Sequence, residues 1–451
     1  MNVGRVFFGL TAIALAACGG GGGGGAGLDA RLPADIEIKT LPAAMNRDLD
    51  ILFVVDNSDS MQAAQTSLIA NFQQFISVIK SVEGGLPNLH IGVATTDMGT
   101  SNGGSAGGCV GNGDNGGLKT GGLAFTGGVN YINDVADPAT PGARITNYPT
   151  ESMGSAFSKT ASVGVSGCGF EQPLLASVAA LSSPANAGFL RDSAYLLIVY
   201  LSDEDDCSMK LGGSLLGTDP ALGPLTSFRC TEFGVICDGV DDMHKVGARK
   251  GCKPRDNSAY ETKISDLVTA IKNKKGTRGD KQIIVASIAA PSEPFAIGQD
   301  TTMTPAIPSL DPACTYNAQG AMQSAAPAVR INALLSSFKH HSQNSICQDF
   351  ATSMTNIGRQ LKTTMGSGCF DSNLLEPLEC DVADVTDPTG ANATTTAMPA
   401  CDATKSVQPC WRVETDATKC PAPATGSRIV LERSVAAPPG TITTVSCKIV
   451  K

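Results

Sequence analysis

The sequence predicts an α/β chain: a doubly wound, mostly parallel sheet followed by a small disulfide-rich β module. Three observations carry this. Unbroken apolar runs at Ile51–Val55 and Ala194–Leu201, with the Ile- and Val-rich Gln282–Ala289, read as strands buried on both faces. Between them lie segments with apolar residues at helical spacing, and that alternation belongs to an open sheet with helices on its faces. From residue 367 onward the texture changes, with six cysteines scattered among Pro, Thr and Asp.

The first buried run ends in Asp56-Asn57-Ser58-Asp59-Ser60-Met61, which sets oxygen donors at the alternate positions Asp56, Ser58 and Ser60. A loop at the carboxyl end of a buried strand is where open α/β sheets place ligands. One carboxylate with two neutral hydroxyls suits a hard divalent cation better than a proton relay. Ser67 to Val82 then shows Leu68, Phe72, Phe75, Ile76, Ile79 and Val82 on one helical stripe, stopped by Gly84-Gly85. His90 to Thr95 reads as the next strand, with His90 structural and Asp97 beyond it either near the metal rim or a turn carboxylate. The Gly/Asn-rich stretch 99–128 contains Gly111-Asn112-Gly113-Asp114-Asn115-Gly116. No buried strand leads into it and no helix follows, so a dinucleotide site is rejected for a loop tethered through Cys109.

Ser166-Gly167-Cys168-Gly169-Phe170-Glu171 leads into a helix through Leu181. Glu171 has two readings: a direct or water-mediated metal ligand, or an acidic residue favoured by a helix amino terminus. The second long buried run enters Ser202-Asp203-Glu204-Asp205-Asp206-Cys207. Four adjacent carboxylates repel one another unless cations or helix amino termini offset them. Asp203 is a site residue; Glu204, Asp205 and Asp206 either take a second cation or lie solvated in the loop. A long insertion, 211–256, follows without periodicity. Further helices are expected at Tyr260–Lys272, Ala328–Phe338 and Phe350–Met365. In the tail, Trp411–Glu414 and Arg428–Arg433 alternate like short strands.

Together, the strand before D-x-S-x-S and the strand before Asp203 resemble von Willebrand factor A (vWA) domains, over roughly residues 48–366. The resemblance implies a vWA/Rossmann-like fold with a metal-ion-dependent adhesion site (MIDAS). In such a site Asp56, Ser58, Ser60 and Asp203 hold Mg2+ (or Mn2+ or Ca2+), partly through waters. An acidic side chain of a protein partner then completes the shell. Two departures stand out. G-C-G-x-E occupies the loop where the family supplies a Thr, which puts Glu171 in that place, and Glu204 follows Asp203 where Gly is common.

The chain ends frame this body. Residues 1–17, with Arg5 and an apolar run Val6–Ala17, have the pattern of a secretory signal. Leu15-Ala16-Ala17-Cys18 resembles a bacterial lipobox, which implies acylation of Cys18 and, with Gly19 next, release to the outer membrane. The glycine run 19–25 reads as a flexible tether within 18–34. The organisation expected is therefore 1–17 signal peptide, 18–34 lipidated tether, 35–366 vWA domain and 367–451 Cys-rich β module.

Fifteen cysteines point to an oxidising compartment, and no C-x-x-C pair supports zinc. Leaving out Cys18 gives an even set, read as seven disulfides and no free thiol. Three are expected among Cys109, Cys168, Cys207, Cys230, Cys237 and Cys252, and a fourth joins Cys314 to Cys347. The last three fall among Cys369, Cys380, Cys401, Cys410, Cys420 and Cys447, with pairing open within each group. A net charge of −9 excludes non-specific nucleic-acid binding. The function expected is a surface-exposed, lipid-anchored, non-enzymatic protein mediating cation-dependent protein binding or adhesion. The alternatives are a secreted hydrolase using Asp203–Asp206, or a structural envelope protein with a vestigial metal site.

Overall fold

The computed structural model describes residues 35–450, apart from short segments at 43–46, 83–84, 101–104, 141, 213, 240–241, 319, 366–367, 388–392, 418–419, 421–424, 436 and 439–440. The signal, the lipobox with Cys18 and the glycine tether lie outside the described residues.

A seven-stranded sheet organises the chain: β1 (Asp48–Val55), β2 (Asn88–Thr95), β3 (Ile132–Ala136), β4 (Arg144–Thr146), β5 (Tyr195–Leu201), β6 (Ile283–Ala289) and β7 (His340–Ser345), in the order β7-β6-β5-β1-β2-β3-β4. The pairings from β7 to β2 are parallel, whereas β2–β3 and β3–β4 are antiparallel. Residues of alternate parity on β1 feed opposite faces, as a two-residue period requires. Ile51, Phe53 and Val55 pack against α1 (Gln62–Lys80), α2 (Met153–Ala161) and a helix at Phe350–Thr364; Phe72 and Phe157 stack there at 3.8 Å. Leu52 and Val54 meet α3 (Pro173–Ala180), α4 (Ile264–Lys272) and α5 (Val329–Ser336) on the other face.

The expectation of a doubly wound, mostly parallel, vWA/Rossmann-like sheet is overturned. The main sheet is mixed, and among the described residues 15 of 22 strands lie in six smaller sheets, whose internal pairings are all antiparallel. The reason is physical. Long apolar runs betray strands buried on both faces, while β3, β4 and the peripheral hairpins are short, polar and half-exposed, with no such signature.

The disulfide-rich β module is present. Its four-stranded sheet is built from Asp35–Pro42, Ile442–Ile449, Cys380–Thr386 and Thr394–Ala397, beside a two-stranded ribbon of Cys410–Thr415 and Ser427–Glu432. Asp35–Pro42, at the start of the chain, thus pairs with the tail. Seven disulfides form: Cys109–Cys168, Cys207–Cys230, Cys237–Cys252, Cys314–Cys347, Cys369–Cys420, Cys380–Cys447 and Cys401–Cys410. They respect the groups expected from sequence, and none joins a residue before 366 to one after it. Bridges on this scale belong to a protein of an oxidising compartment outside the cytoplasm. Among the described residues, no helix is long and apolar enough to cross a membrane.

Candidate metal centre

Strands β1 and β5 are neighbours and run parallel, so their carboxyl ends open side by side. The helices that follow them, α1 and α4, pack on opposite faces, the arrangement at which open sheets place ligands. Leu201 and Asp56 fasten the strand ends, the Asp56 amide donating to the Leu201 carbonyl at 3.0 Å.

Asp56 is fully buried. Its Oδ1 accepts the Ser58 amide at 2.8 Å and its Oδ2 accepts the Ser202 hydroxyl at 2.7 Å. Each carboxylate oxygen has about two lone-pair sites, so acceptor capacity remains. Ser58 and Ser60 set their hydroxyl oxygens 3.3 Å apart, and the nearby Ser60 hydroxyl favours the charged form of Asp203. The β1 loop and the β5 loop therefore meet through Ser60 and through Ser202.

The third loop arrives from the amino-terminal side of α3. The Gly167 amide donates to the Asn57 carbonyl at 2.8 Å, and a Cβ at Gly167 would collide with the Asn57 side chain. Glycine there is what lets the two loops approach. Cys168 is bridged to Cys109 in the Gly-rich segment, and Cys207 to Cys230 in the insertion, so disulfides fix the loops carrying both Glu171 and Asp203. The Cys207 amide donates to the Glu171 carbonyl at 2.7 Å, tying these loops to each other.

Charge is the centre's distinguishing property. Glu171 is 1% exposed and Asp203 5%, and Glu171 Oε1 and Asp203 Oδ1 have no hydrogen-bond partner. Burial, followed by the charges of Glu204 and Asp56, pushes the Glu171 carboxyl well above its ordinary range. Burial and then Asp56 raise Asp203 to about 7; burial and then Asp203 raise Glu204 to about 8. Burial also raises Asp56. The charged groups weighing most on these four are themselves acidic. Burial and the neighbouring acids favour the protonated forms of Glu171 and Glu204.

Asp56, Ser58, Ser60, Asp203 and Glu171 offer oxygen donors only, the kind a hard divalent cation takes, and one oxygen on each of Glu171 and Asp203 is left without a hydrogen bond. Among the described residues, no three His, Cys, Asp or Glu side chains come together as a metal-binding group, so Asp56, Asp203 and Glu171 are not gathered as one three-carboxylate set.

The remaining acids of the run have other duties. Asp205 accepts the amides of Arg330 and Ile331 at the start of α5, at 2.9–3.1 Å. Asp206 is buried; it pairs with Arg330 at 3.1 Å and accepts the amides of Leu174 and Ser208. Neither the second-cation nor the solvated-loop reading describes these two. Asp97 is the turn carboxylate expected, accepting the Gly99 amide at 2.8 Å, and His90 is buried with Nδ1 2.8 Å from the Phe189 carbonyl. Sequence reasoning missed Ser202, Asn57 and Thr96. Asn57 Oδ1 and the Thr96 hydroxyl are further buried oxygens without partners, and Thr96 accepts the Gln172 amide through its carbonyl. Ser202 and Thr96 directly follow buried strands, and that position was the available signal.

The sequence matches no family model and no curated protein. Among solved structures, human COPII-coat protein Sec24c is similar at a TM-score of 0.31 and 10% identity, over 92% of this chain and 42% of that one. The pilus adhesin RrgA from Streptococcus pneumoniae is similar at a TM-score of 0.25 and 10% identity, over 92% of this chain and 58% of that one. The chain spans less than two thirds of either protein, and likenesses this distant carry no argument.

Proposed function

We propose that this is a cell-envelope protein, anchored through an acylated Cys18 at the outer membrane or cell surface, that binds a protein partner through a divalent cation. Asp56, Ser58, Ser60 and Asp203 would hold the cation, as the resemblance to vWA domains implies, with Glu171 as a further candidate ligand in the departing loop. An acidic side chain of the partner would replace one of its waters. The observation that carries this reading is the pair of orphaned, buried carboxylate oxygens on Glu171 and Asp203, with acidic neighbours and no countercharge of their own. A dication offsets that charge where hydrogen bonds do not. The reading assigns no catalytic residue.

A cation that binds only the folded chain stabilises it by about 2.7 kcal/mol at 100 times Kd, a rise of several degrees in melting temperature. Titrating Mg2+, Mn2+ and Ca2+ into the purified protein should raise the melting point, and Asp56→Ala should abolish the rise. A melting curve indifferent to all three ions would sink the reading and leave a protonated, structural carboxyl cluster in its place. Loss of fatty-acid labelling in Cys18→Ala tests the anchor separately.

A further inference from the structure

The four-stranded sheet of the disulfide-rich module has two edges, and they differ. One is Thr394–Ala397, four residues long. The other is Asp35–Pro42, eight residues long, paired along its whole length with Ile442–Ile449 on one side and, among the described residues, with no strand on the other. An edge strand presents a row of N–H and C=O groups to any second strand, and shortness is one device that keeps an edge from recruiting one. Asp35–Pro42 lacks that device. It also carries two β-branched apolar residues in the open, Ile36 and Ile38, the latter 72% exposed.

Alternate residues of the strand divide between the two faces of the sheet. Leu41 reaches the tail's core, Glu37 accepts the amides of Asp371 and Ser372 at 3.0 Å, and Lys39 pairs with Glu37 at 2.9 Å and Asp371 at 3.0 Å. That face is settled within one copy. Ile36 and Ile38 lie on the other face, opposite Lys448 and Ser446 of the neighbouring strand. The long edge and its two exposed isoleucines are what one copy leaves uncovered.

We propose that Asp35–Pro42 pairs antiparallel with the same strand of a second copy, across a two-fold axis at Ile38, so that two four-stranded sheets become one continuous sheet. The strand's own sequence selects this register. A two-fold pairing that keeps like faces together sets one residue opposite itself, because a one-residue slip would turn the apolar face over. Centring on Glu37 would set two glutamates against each other, and centring on Lys39 two lysines; like charges directly opposite are destabilising. Centring on Ile36 would set Asp35 against Glu37 and shorten the ladder. Centring on Ile38 sets Ile38 against itself and Glu37 against Lys39 on both sides of the axis, with residues 35–41 all paired. Apolar β-branched pairs and opposite charges are the cross-strand contacts that stabilise a ladder. A single strand pair is a narrow interface, so the association is weak and concentration-dependent.

The test uses the purified chain in the Cys18→Ala form, so that no acyl group drives association, and in excess chelator, so that no cation bridges two copies. Sedimentation velocity from about 1 µM to about 1 mM should show the mass rising toward twice that of one chain. Ile38→Lys sets two lysines at the axis and should hold the mass at one chain throughout, with an unchanged melting point because the side chain is exposed. Under mild oxidation Ile38→Cys should form a disulfide between copies, with the native bridges verified by mass spectrometry. Ile36→Cys, about 13 Å along the strand from its own copy in this register, should not. A mass of one chain at every concentration overturns the proposal and leaves Ile36 and Ile38 to another surface, a membrane or a different protein. Dimers that persist in Ile38→Lys, or Ile36→Cys cross-linking as readily as Ile38→Cys, overturn it equally. Failure here leaves the metal titration above unaffected, and the reverse also holds.

Discussion

Buried carboxylates without counterions make the centre sensitive to protons, and the sign follows from linkage. Asp203 is raised to about 7 and Glu204 to about 8, both above their unfolded values near 4. Between about pH 4 and pH 8 the folded chain therefore binds more protons than the unfolded chain, so this contribution to stability falls as pH rises. Without added metal, the melting point should drop from pH 5 to pH 8 more steeply in the wild type than in Asp203→Asn, whose amide has nothing to titrate. A dication competes with the same protons. The increment from saturating Mg2+ should consequently be small at pH 5 and larger at pH 8. An increment that is equal at both values, measured by calorimetry across the range, would mean that the titrating groups and the metal ligands are different residues.

At the scale of elements, the run 203–206 splits into two functions: its first two acids are raised together by burial and each other's charge, while its last two join β5 to helices. Arg330, 1% exposed on α5, pairs with Asp206 at 3.1 Å and with Glu261 at 3.0 Å. Breaking a buried pair by removing one partner costs about 3–5 kcal/mol, because it strands the other charge. Asp206→Ala should lower the unfolding free energy by up to about that amount in chelator, Glu261 still partnering Arg330, whereas Asp203→Asn should leave it unchanged or raise it. Comparable losses in both variants would show that the acids share one role. Much of this scale was legible beforehand. Asp56, Ser58 and Ser60 announce themselves as a donor-rich end to a buried run, and α1 shows its stripe. The expected helix at Ser67–Val82 is observed at Gln62–Lys80. What stayed hidden depends on distant residues: Arg330 lies more than 120 positions from Asp206, and no local pattern couples them. Nor does the polar text of β3 and β4 announce strands, since their partners supply what their own side chains lack.

For the whole molecule, the end of the chain secures its beginning. Asp35–Pro42 pairs residue by residue with Ile442–Ile449, and Glu37 accepts the amides of Asp371 and Ser372 at 3.0 Å. Burial contributes little to that strand: Ile36 is 59% and Ile38 72% exposed, while Leu41 is the residue that reaches the tail's core. The strand is therefore held chiefly by its ladder, whose partner is stapled by Cys380–Cys447. The sheet of β1, β2, β5 and β6 has its own core and its own four disulfides, none reaching past residue 347. Ending the chain at 366 should thus separate two behaviours. In hydrogen exchange read by mass spectrometry, Asp35–Pro42 should lose its protection and become open to proteolysis, while Asp48–Val55 and Tyr195–Leu201 remain protected and the melting point still responds to Mg2+. If Asp35–Pro42 stayed protected without the tail, some other surface would have to hold it. If instead the central strands lost protection too, the disulfide-rich module would be part of what folds the metal centre rather than a separately stapled unit.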